Sequence, residues 1–298
     1  MTTVLLIGKG GQVGWELQLA LASLGSIVAL DRAQLNLVDS DSIRQTIREV
    51  APSIIVNAAG YTAVDKAERE PDLARQVNTV APGIIGEEAR RANALLVHYS
   101  TDYVFDGESA LPYVEEDVPS PCNIYGKTKL EGEWAISASG CAHLILRTSW
   151  IYSARGSNFV LTMLRLAREK HCLTVVDDQI GSPTSARALA ASTAELIEKA
   201  NLRRNDGGIY HLSASDYASR FDFASEILSA AKKISGIETG WAELQRTTSA
   251  NYPLPAQRPL NAATSKEKIR DTFGIVMAGW QRQLQDMLPE LLEATARH

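Results

Sequence analysis

Val4-Leu5-Leu6-Ile7-Gly8-Lys9-Gly10-Gly11-Gln12-Val13-Gly14 is a short apolar run that breaks into a glycine-rich loop, and Trp15 to Leu24 reads as the next helix. Strand, glycine loop and helix in this order open a dinucleotide-binding unit. Glycines at 8, 11 and 14 let the backbone turn tightly, approach a pyrophosphate and pack the helix on the strand. The helix N-terminus favours the anion's charge. Gly8, Gly11, Gln12, Val13 and Gly14 are therefore the first candidate cofactor residues. A lone glycine loop is also an ordinary tight turn, so the reading depends on the strands and helices downstream.

The downstream segments agree with it. Ile27 to Leu30 forms a second strand that ends in Asp31, near the usual spacing for the acid that holds an adenosine ribose. Arg32 comes next, and a guanidinium there suits a 2′-phosphate. Asp31 and Arg32 together leave NADH and NADPH both open, with a lean to NADPH. Asp39 and Asp41 precede the amphipathic stretch Ile43 to Val50, where helix capping is the first reading and an adenine contact by Asp39 or Ser40 the second. Ser53 to Asn57 is a third strand that runs into Ala58-Ala59-Gly60-Tyr61-Thr62. These small residues let a nicotinamide pass close to the backbone, with Tyr61 packed on it. The alternation of strands and helices predicts an α/β fold, a Rossmann-type doubly wound parallel sheet, with a smaller C-terminal α/β substrate domain. Residues 1–150 form the dinucleotide-binding domain, strands near 173–180 and 208–213 return to it, and the rest of 151–298 makes the substrate domain.

The bulk numbers narrow the function classes. The 298 residues are 45% hydrophobic and 22% charged, enough for one large and one small unit. A net charge of −5, a pI near 5.6 and the absence of a basic block argue against a nucleic-acid or anionic-membrane partner. No run approaches the length of a membrane span, and the N-terminus enters a strand without a cationic region, so a soluble cytoplasmic protein is expected. Three cysteines, Cys122, Cys141 and Cys172, lack a C-x-x-C spacing and read as reduced thiols.

The chemistry is expected at Tyr125-Gly126-Lys127-Thr128-Lys129. Residues four apart share one face of a helix, so the Tyr125 phenol and Lys129 ammonium would sit side by side. A neighbouring cation favours the phenolate and would make the phenol a proton donor matched to neutral pH. The fourth strand, Leu95 to Tyr99, ends in Ser100-Thr101-Asp102-Tyr103, where the Thr101 hydroxyl is placed to hold a carbonyl oxygen. The loop 106–122, rich in proline and acids, reads as the rim of a site. Asn78 is either a structural anchor or a surface residue. Trp150, just past the fifth strand, suits stacking on a sugar or base. Asp177 and Asp178 read as a turn rather than a metal site, and His211 as a structural histidine. Arg258 ends an extended proline-rich loop and suits a bidentate contact to a diphosphate.

The glycine loop, the hydroxyl at the fourth strand and Y-x-x-x-K together resemble the short-chain dehydrogenase/reductase superfamily. Longer strings resemble its dTDP-4-dehydrorhamnose reductase family: Asn57 to Glu68, Ser100 to Gly107, Arg147 to Tyr152, Asp178 to Thr184 and Arg258 to Asn261. The resemblance spans nearly the whole chain. It implies hydride transfer from NADPH or NADH to the C4 ketone of dTDP-4-dehydro-β-L-rhamnose, with Thr101, Tyr125 and Lys129 catalytic. It also puts Val64, Asp65, Asp102, Tyr103, Trp150 and Arg258 near the dTDP-sugar. Two other readings stand beside it: a reductase of another nucleotide 4-keto-6-deoxysugar, and a nucleotide-binding regulatory subunit like that of methionine adenosyltransferase. The intact Thr101, Tyr125 and Lys129 set argues against the regulatory subunit. Some family members form a homodimer around a divalent metal such as Mg held by acids, one of them matching Glu16. Ser185 and Arg187 stand where further acids would be needed, which argues against a metal and that dimer but leaves another homodimer open.

Overall fold

The computed structural model describes residues 2–200 and 206–296. The chain begins with β1 (Thr3–Ile7), α1 (Gln12–Ala20), β2 (Ser26–Leu30), α2 (Ser40–Val50) and β3 (Ile54–Asn57). Three helices, α3 (Val64–Ala67), α4 (Pro71–Arg75) and α5 (Ala81–Ala92), lead to β4 (Leu95–Thr101), and α6 (Ile124–Ser139) to β5 (His143–Thr148). The second half holds β6 (Ile151–Tyr152), α7 (Phe159–Glu169), β7 (Cys172–Val176), β8 (Ile180–Gly181), β9 (Thr184–Ser185) and α8 (Ala186–Lys199). It ends with β10 (Gly208–His211), β11 (Ala218–Ser219), α9 (Arg220–Ser235), β12 (Glu243–Thr247), α10 (Glu267–Phe273) and α11 (Trp280–Ala296).

Six strands form one parallel sheet in the order β10-β5-β4-β3-β1-β2. The opening apolar run lacks alternation because β1 is covered on both faces. Val4 and Leu6 pack with Leu17 of α1 and Leu189 of α8. Leu5 and Ile7 point the other way, towards Ile43 of α2 and Ile85 of α5. The strand order reverses at β1, which carries β2 on one side and β3 on the other. A crevice opens there beyond the carboxyl ends of the strands, where ligands bind in such sheets.

A third core, built from Val160, Phe223, Trp280 and Leu284, joins α7, α9 and α11. Strand β7 belongs here. The expectation that 173–180 returns to the main sheet is wrong: β7 pairs with β12 in a two-stranded parallel sheet of its own, and only β10 joins the main sheet, beside β5. Burial in β7 alternates between exposed and buried residues, as a strand covered on one face requires. Among the described residues no helix is long and apolar enough to cross a membrane.

Two close approaches hold α6 against the rest. A Cβ at Gly126 would fall 2.1 Å from the Tyr103 carbonyl oxygen, and one at Gly132 would fall 2.1 Å from that of Asn78. Asn78 is fully buried in a π-helical turn, Gln76–Val80, so the surface reading of this residue is wrong. Its side-chain oxygen accepts from Tyr61 N (2.8 Å), and its amide nitrogen donates to Tyr61 O (3.1 Å) and Thr128 Oγ1 (3.2 Å). One buried amide thus ties the loop after β3 to α6.

Replacing Gly132 by alanine should destabilise the fold by about 2 kcal/mol, as overpacking does where neither backbone has room to move. A Cβ at Gly10 meets nothing within 4 Å, so Gly10→Ala serves as the control. Urea midpoints of the two variants test this, and equal midpoints would show that α6 does not lie on the Asn78 turn.

Candidate active site

The glycine loop starts the site. Gly8 has φ +94°, a left-handed conformation that suits glycine, and a Cβ there would fall 2.8 Å from Ala59 N. Loop β1–α1 and loop β3–α3 therefore touch through bare backbone. A cavity of about 670 Å³ opens above them.

Of the candidate cofactor residues, Gly8, Gly11, Gln12, Val13, Asp31, Arg32, Ala58, Ala59, Tyr61, Tyr125 and Lys129 all line this cavity. Gly14 lies beneath the loop, where a Cβ would fall 2.0 Å from Gly8 O. Asp39 and Ser40 do not line the cavity: the Asp39 carboxylate caps α2, accepting from Asp41 N (3.1 Å) and Ser42 N (3.0 Å), and Ser40 is the first residue of that helix. Capping holds both residues in the helix start, so their expected adenine contact has no support in this arrangement. The Asp31 carboxylate accepts from Ala33 N and Gln34 N and lies 3.5 Å from Lys9 Nζ. Gln12 ties the loop to the second half of the chain, its Oε1 accepting from Asn158 Nδ2 at 2.9 Å.

Of the candidate substrate residues, Val64, Thr101, Asp102, Tyr103 and Trp150 line the same cavity. Asp65 and Arg258 do not. They form a two-point ion pair with each other, at 2.6 and 2.7 Å, and the arginine beside it holds the Asp65 carboxyl below its ordinary range. The free guanidinium expected at Arg258 is thus already committed to a carboxylate. Trp150 has φ +45°, a strained value for a side chain of this size. Its indole is wedged against Gly181, where a Cβ would fall 2.4 Å from Cε2, and against Arg220, whose guanidinium carbon lies 3.5 Å from the ring centroid.

Thr101, Tyr125 and Lys129 come together, but not as the helix spacing alone suggests. The Tyr125 phenol and Thr101 line the same cavity, and burial, offset in part by Thr101, holds the phenol above its ordinary pKa. Lys129 is turned away from the phenol. Its buried ammonium donates to the Tyr99 carbonyl and lies 3.1 Å from His98 Nε2, while Asn57 Nδ2 lies 3.1 Å from His98 Nδ1. The expected depression of the phenol by Lys129 is therefore absent: four residues of helix bring the two backbones to one face, but β4 captures the long lysine side chain. Burial instead pushes Lys129 down to about 8, against the pull of Glu133. Burial first, and then Lys129, keeps His98 neutral.

Three further groups escape a reading of the sequence. Arg220 lines the cavity although it begins α9, and helix dipoles disfavour a cation at that end. That misplacement is the one local signal it carries. Thr148 lines the cavity, and its hydroxyl is buried without a hydrogen-bond partner. Lys266, brought in by the segment before α10, donates to Ser182 Oγ at 3.1 Å, and burial lowers it to about 7. His211 is fully buried, with Nδ1 3.1 Å from Ser265 O, and lies outside the cavity lining.

Glu16 tests the metal. Arg187 Nε lies 3.3 Å from Glu16 Oε2, and its terminal nitrogen bridges to Glu290 at 2.8 Å. An arginine supplies the positive charge between these acids, so the residues around Glu16 do not fit a divalent cation. No cluster of three or more metal-ligating side chains occurs among the described residues.

Comparison with known proteins agrees with this arrangement. Residues 1–293 match the family model described as the RmlD substrate binding domain. The dTDP-4-dehydrorhamnose reductase of Escherichia coli K12 is 43% identical over 297 residues, covering 98% of this chain and 99% of that protein. The crystal structure of a dTDP-4-dehydrorhamnose reductase from Clostridium acetobutylicum superposes with a TM-score of 0.89 at 33% identity, covering 98% of this chain and all of that one. The enzyme of that name from Bacillus anthracis, solved in complex with NADP, superposes with a TM-score of 0.88 at 32% identity, covering 97% of this chain and all of that one.

Asp102 supplies a pH test. Its carboxylate is buried, which raises it to about 6, even though Ser149 Oγ donates to it at 2.6 Å. From about pH 4 to pH 6 the folded chain holds a proton here that the unfolded chain has lost, so this group's contribution to stability falls as pH rises. Asp102→Asn removes that dependence. Its stability relative to the parent chain should improve by up to about 3 kcal/mol between pH 4 and pH 7, as read from denaturation at a series of pH values. A difference that stays flat across this range would place the Asp102 carboxyl in an ordinary solvated setting.

Proposed function

The chain belongs to the dTDP-4-dehydrorhamnose reductase family, and from that premise we propose how its residues reduce the C4 ketone of dTDP-4-dehydro-β-L-rhamnose to dTDP-β-L-rhamnose. Residues 1–150 carry the cofactor and the remainder closes over the sugar nucleotide, with β10 completing the sheet. When bound, NADPH or NADH supplies the hydride to C4. The glycine loop and the Ala58-Ala59 backbone hold the cofactor, with Asp31 and Arg32 at its adenosine end. Their fit is supported by the lack of side-chain volume where the two loops meet and by the shared cavity. Lys9 beside Asp31 and the adjacent Arg32 favour NADPH, because they set two cations against one carboxylate where a 2′-phosphate would lie.

One observation carries the chemistry: Thr101 and Tyr125 face the same cavity as Lys129 and the glycine loop. Burial keeps the phenol protonated at neutral pH, which is the form that donates. As negative charge develops on the ketone oxygen, Tyr125 gives it the proton and Thr101 donates a hydrogen bond. Lys129 holds the nicotinamide ribose. Asp102 and Tyr103 continue the wall from Thr101 to the sugar, and Trp150 closes it. A purely regulatory nucleotide-binding role needs no proton donor, and the relatives carry the name of a reductase.

Tyr125→Phe should lower turnover at least about a hundredfold while NADPH affinity stays close to that of the parent enzyme. Steady-state oxidation of NADPH with the dTDP-4-keto sugar, paired with a fluorescence titration of the cofactor, measures both. Near-normal turnover would remove Tyr125 from the chemistry.

A further inference from the structure

The commitment of Arg258 to Asp65 leaves the substrate's diphosphate without the cation that the sequence suggests. A second arginine stands close by. Arg258 and Arg220 both interact electrostatically with Tyr103, and of the two arginines only Arg220 lines the cavity. Among the described residues no carboxylate forms an ion pair with Arg220. Asp102 attracts it from a distance, but the Asp102 oxygens already accept from Ser149 and Thr101. The indole of Trp150 lies 3.5 Å from its guanidinium carbon and fixes one side of the group. A half-buried guanidinium with no carboxylate partner suits an anionic acceptor, and Arg220 also begins a sixteen-residue helix whose dipole adds to the positive potential.

We propose that Arg220 is the diphosphate-binding residue of this site, donating to a non-bridging oxygen of the sugar nucleotide while Trp150 holds its guanidinium in place. This rests on the reading of a dTDP-sugar as substrate. The Asp65–Arg258 pair braces the Tyr103 side of the same pocket. A pyrophosphate also occurs in the cofactor, but its place is the glycine loop, so the proposal separates the two anions by residue.

Calorimetric titration of the intact enzyme with dTDP, thymidine and NADPH tests this. Arg220→Gln should weaken dTDP at least about tenfold and leave thymidine and NADPH within about twofold. In the assay KM for the keto sugar should rise more than kcat falls, and Arg220→Lys, which keeps the charge, should recover part of the dTDP affinity. Unchanged dTDP binding would overturn the proposal. So would an equal loss of dTDP and thymidine, which marks a residue that only props Trp150, or a loss of NADPH alone, which would give the arginine to the cofactor. If Arg220→Gln fails to fold, Arg220→Lys decides: loss of dTDP affinity as large as that expected of the glutamine variant, with thymidine retained, counts against the charge. Failure of the substrate reading shows separately, as absence of turnover of the dTDP-4-keto sugar by the parent enzyme.

Discussion

Backbone contact of α6 with the segment after β4 and with the π-helical turn Gln76–Val80 is the constraint on which the site depends. Gly126 rests on the Tyr103 carbonyl and Gly132 on that of Asn78, so the helix is set at a separation that no side chain can hold open. Tyr125 and Lys129 are delivered to the cavity by this contact. The Asn78 amide serves the same end from below, satisfying both backbone groups of Tyr61 and the Thr128 hydroxyl in a buried place where unpaired polar groups are costly. The placement of Tyr125 and Lys129 is a packing result first and a hydrogen-bonding result second.

Given that frame, burial controls the electrostatics. Lys129, Lys266 and Asp102 are all shifted towards their neutral forms, and desolvation is the leading cause each time. Tyr125 is held in its protonated form by the same cause. A nearby anion would favour the charged forms of the two lysines and oppose that of Asp102. Where charge is matched internally, the pairs are structural: Arg147 with Glu133 under the sheet, Arg187 with Glu16 and Glu290 at the α1–α8 surface, and Arg258 with Asp65 at the rim.

Much of this was legible along the chain. The opening stretch specifies strand, glycine turn and helix because its apolar period and its glycines are local properties, and they come out as β1, the Gly8 turn and α1. Tyr125, Lys129 and Thr101 were legible too, since helix spacing and a strand end carry their own geometry. Arg220 was not. It lies about 120 residues beyond Asp102 and Tyr103 in sequence and reads as an ordinary charge at a helix start. The placement of β7 was missed for a similar reason: a short apolar strand does not record which partner it will meet, and β12 supplies that partner from some 70 residues away.

The sequence by itself determined the element types and the shared helix face of the Tyr125 and Lys129 backbones, because each depends on interactions within about one or two helical turns or along one strand. Only the tertiary structure decided where long charged side chains end. Lys129 turns to the Tyr99 carbonyl and His98, Arg258 is taken by Asp65, Arg187 fills the space beside Glu16, and Arg220 is left facing the cavity. A flexible cation several bonds long goes to whichever acceptor the fold brings within reach, and that acceptor usually lies on a distant segment of the chain.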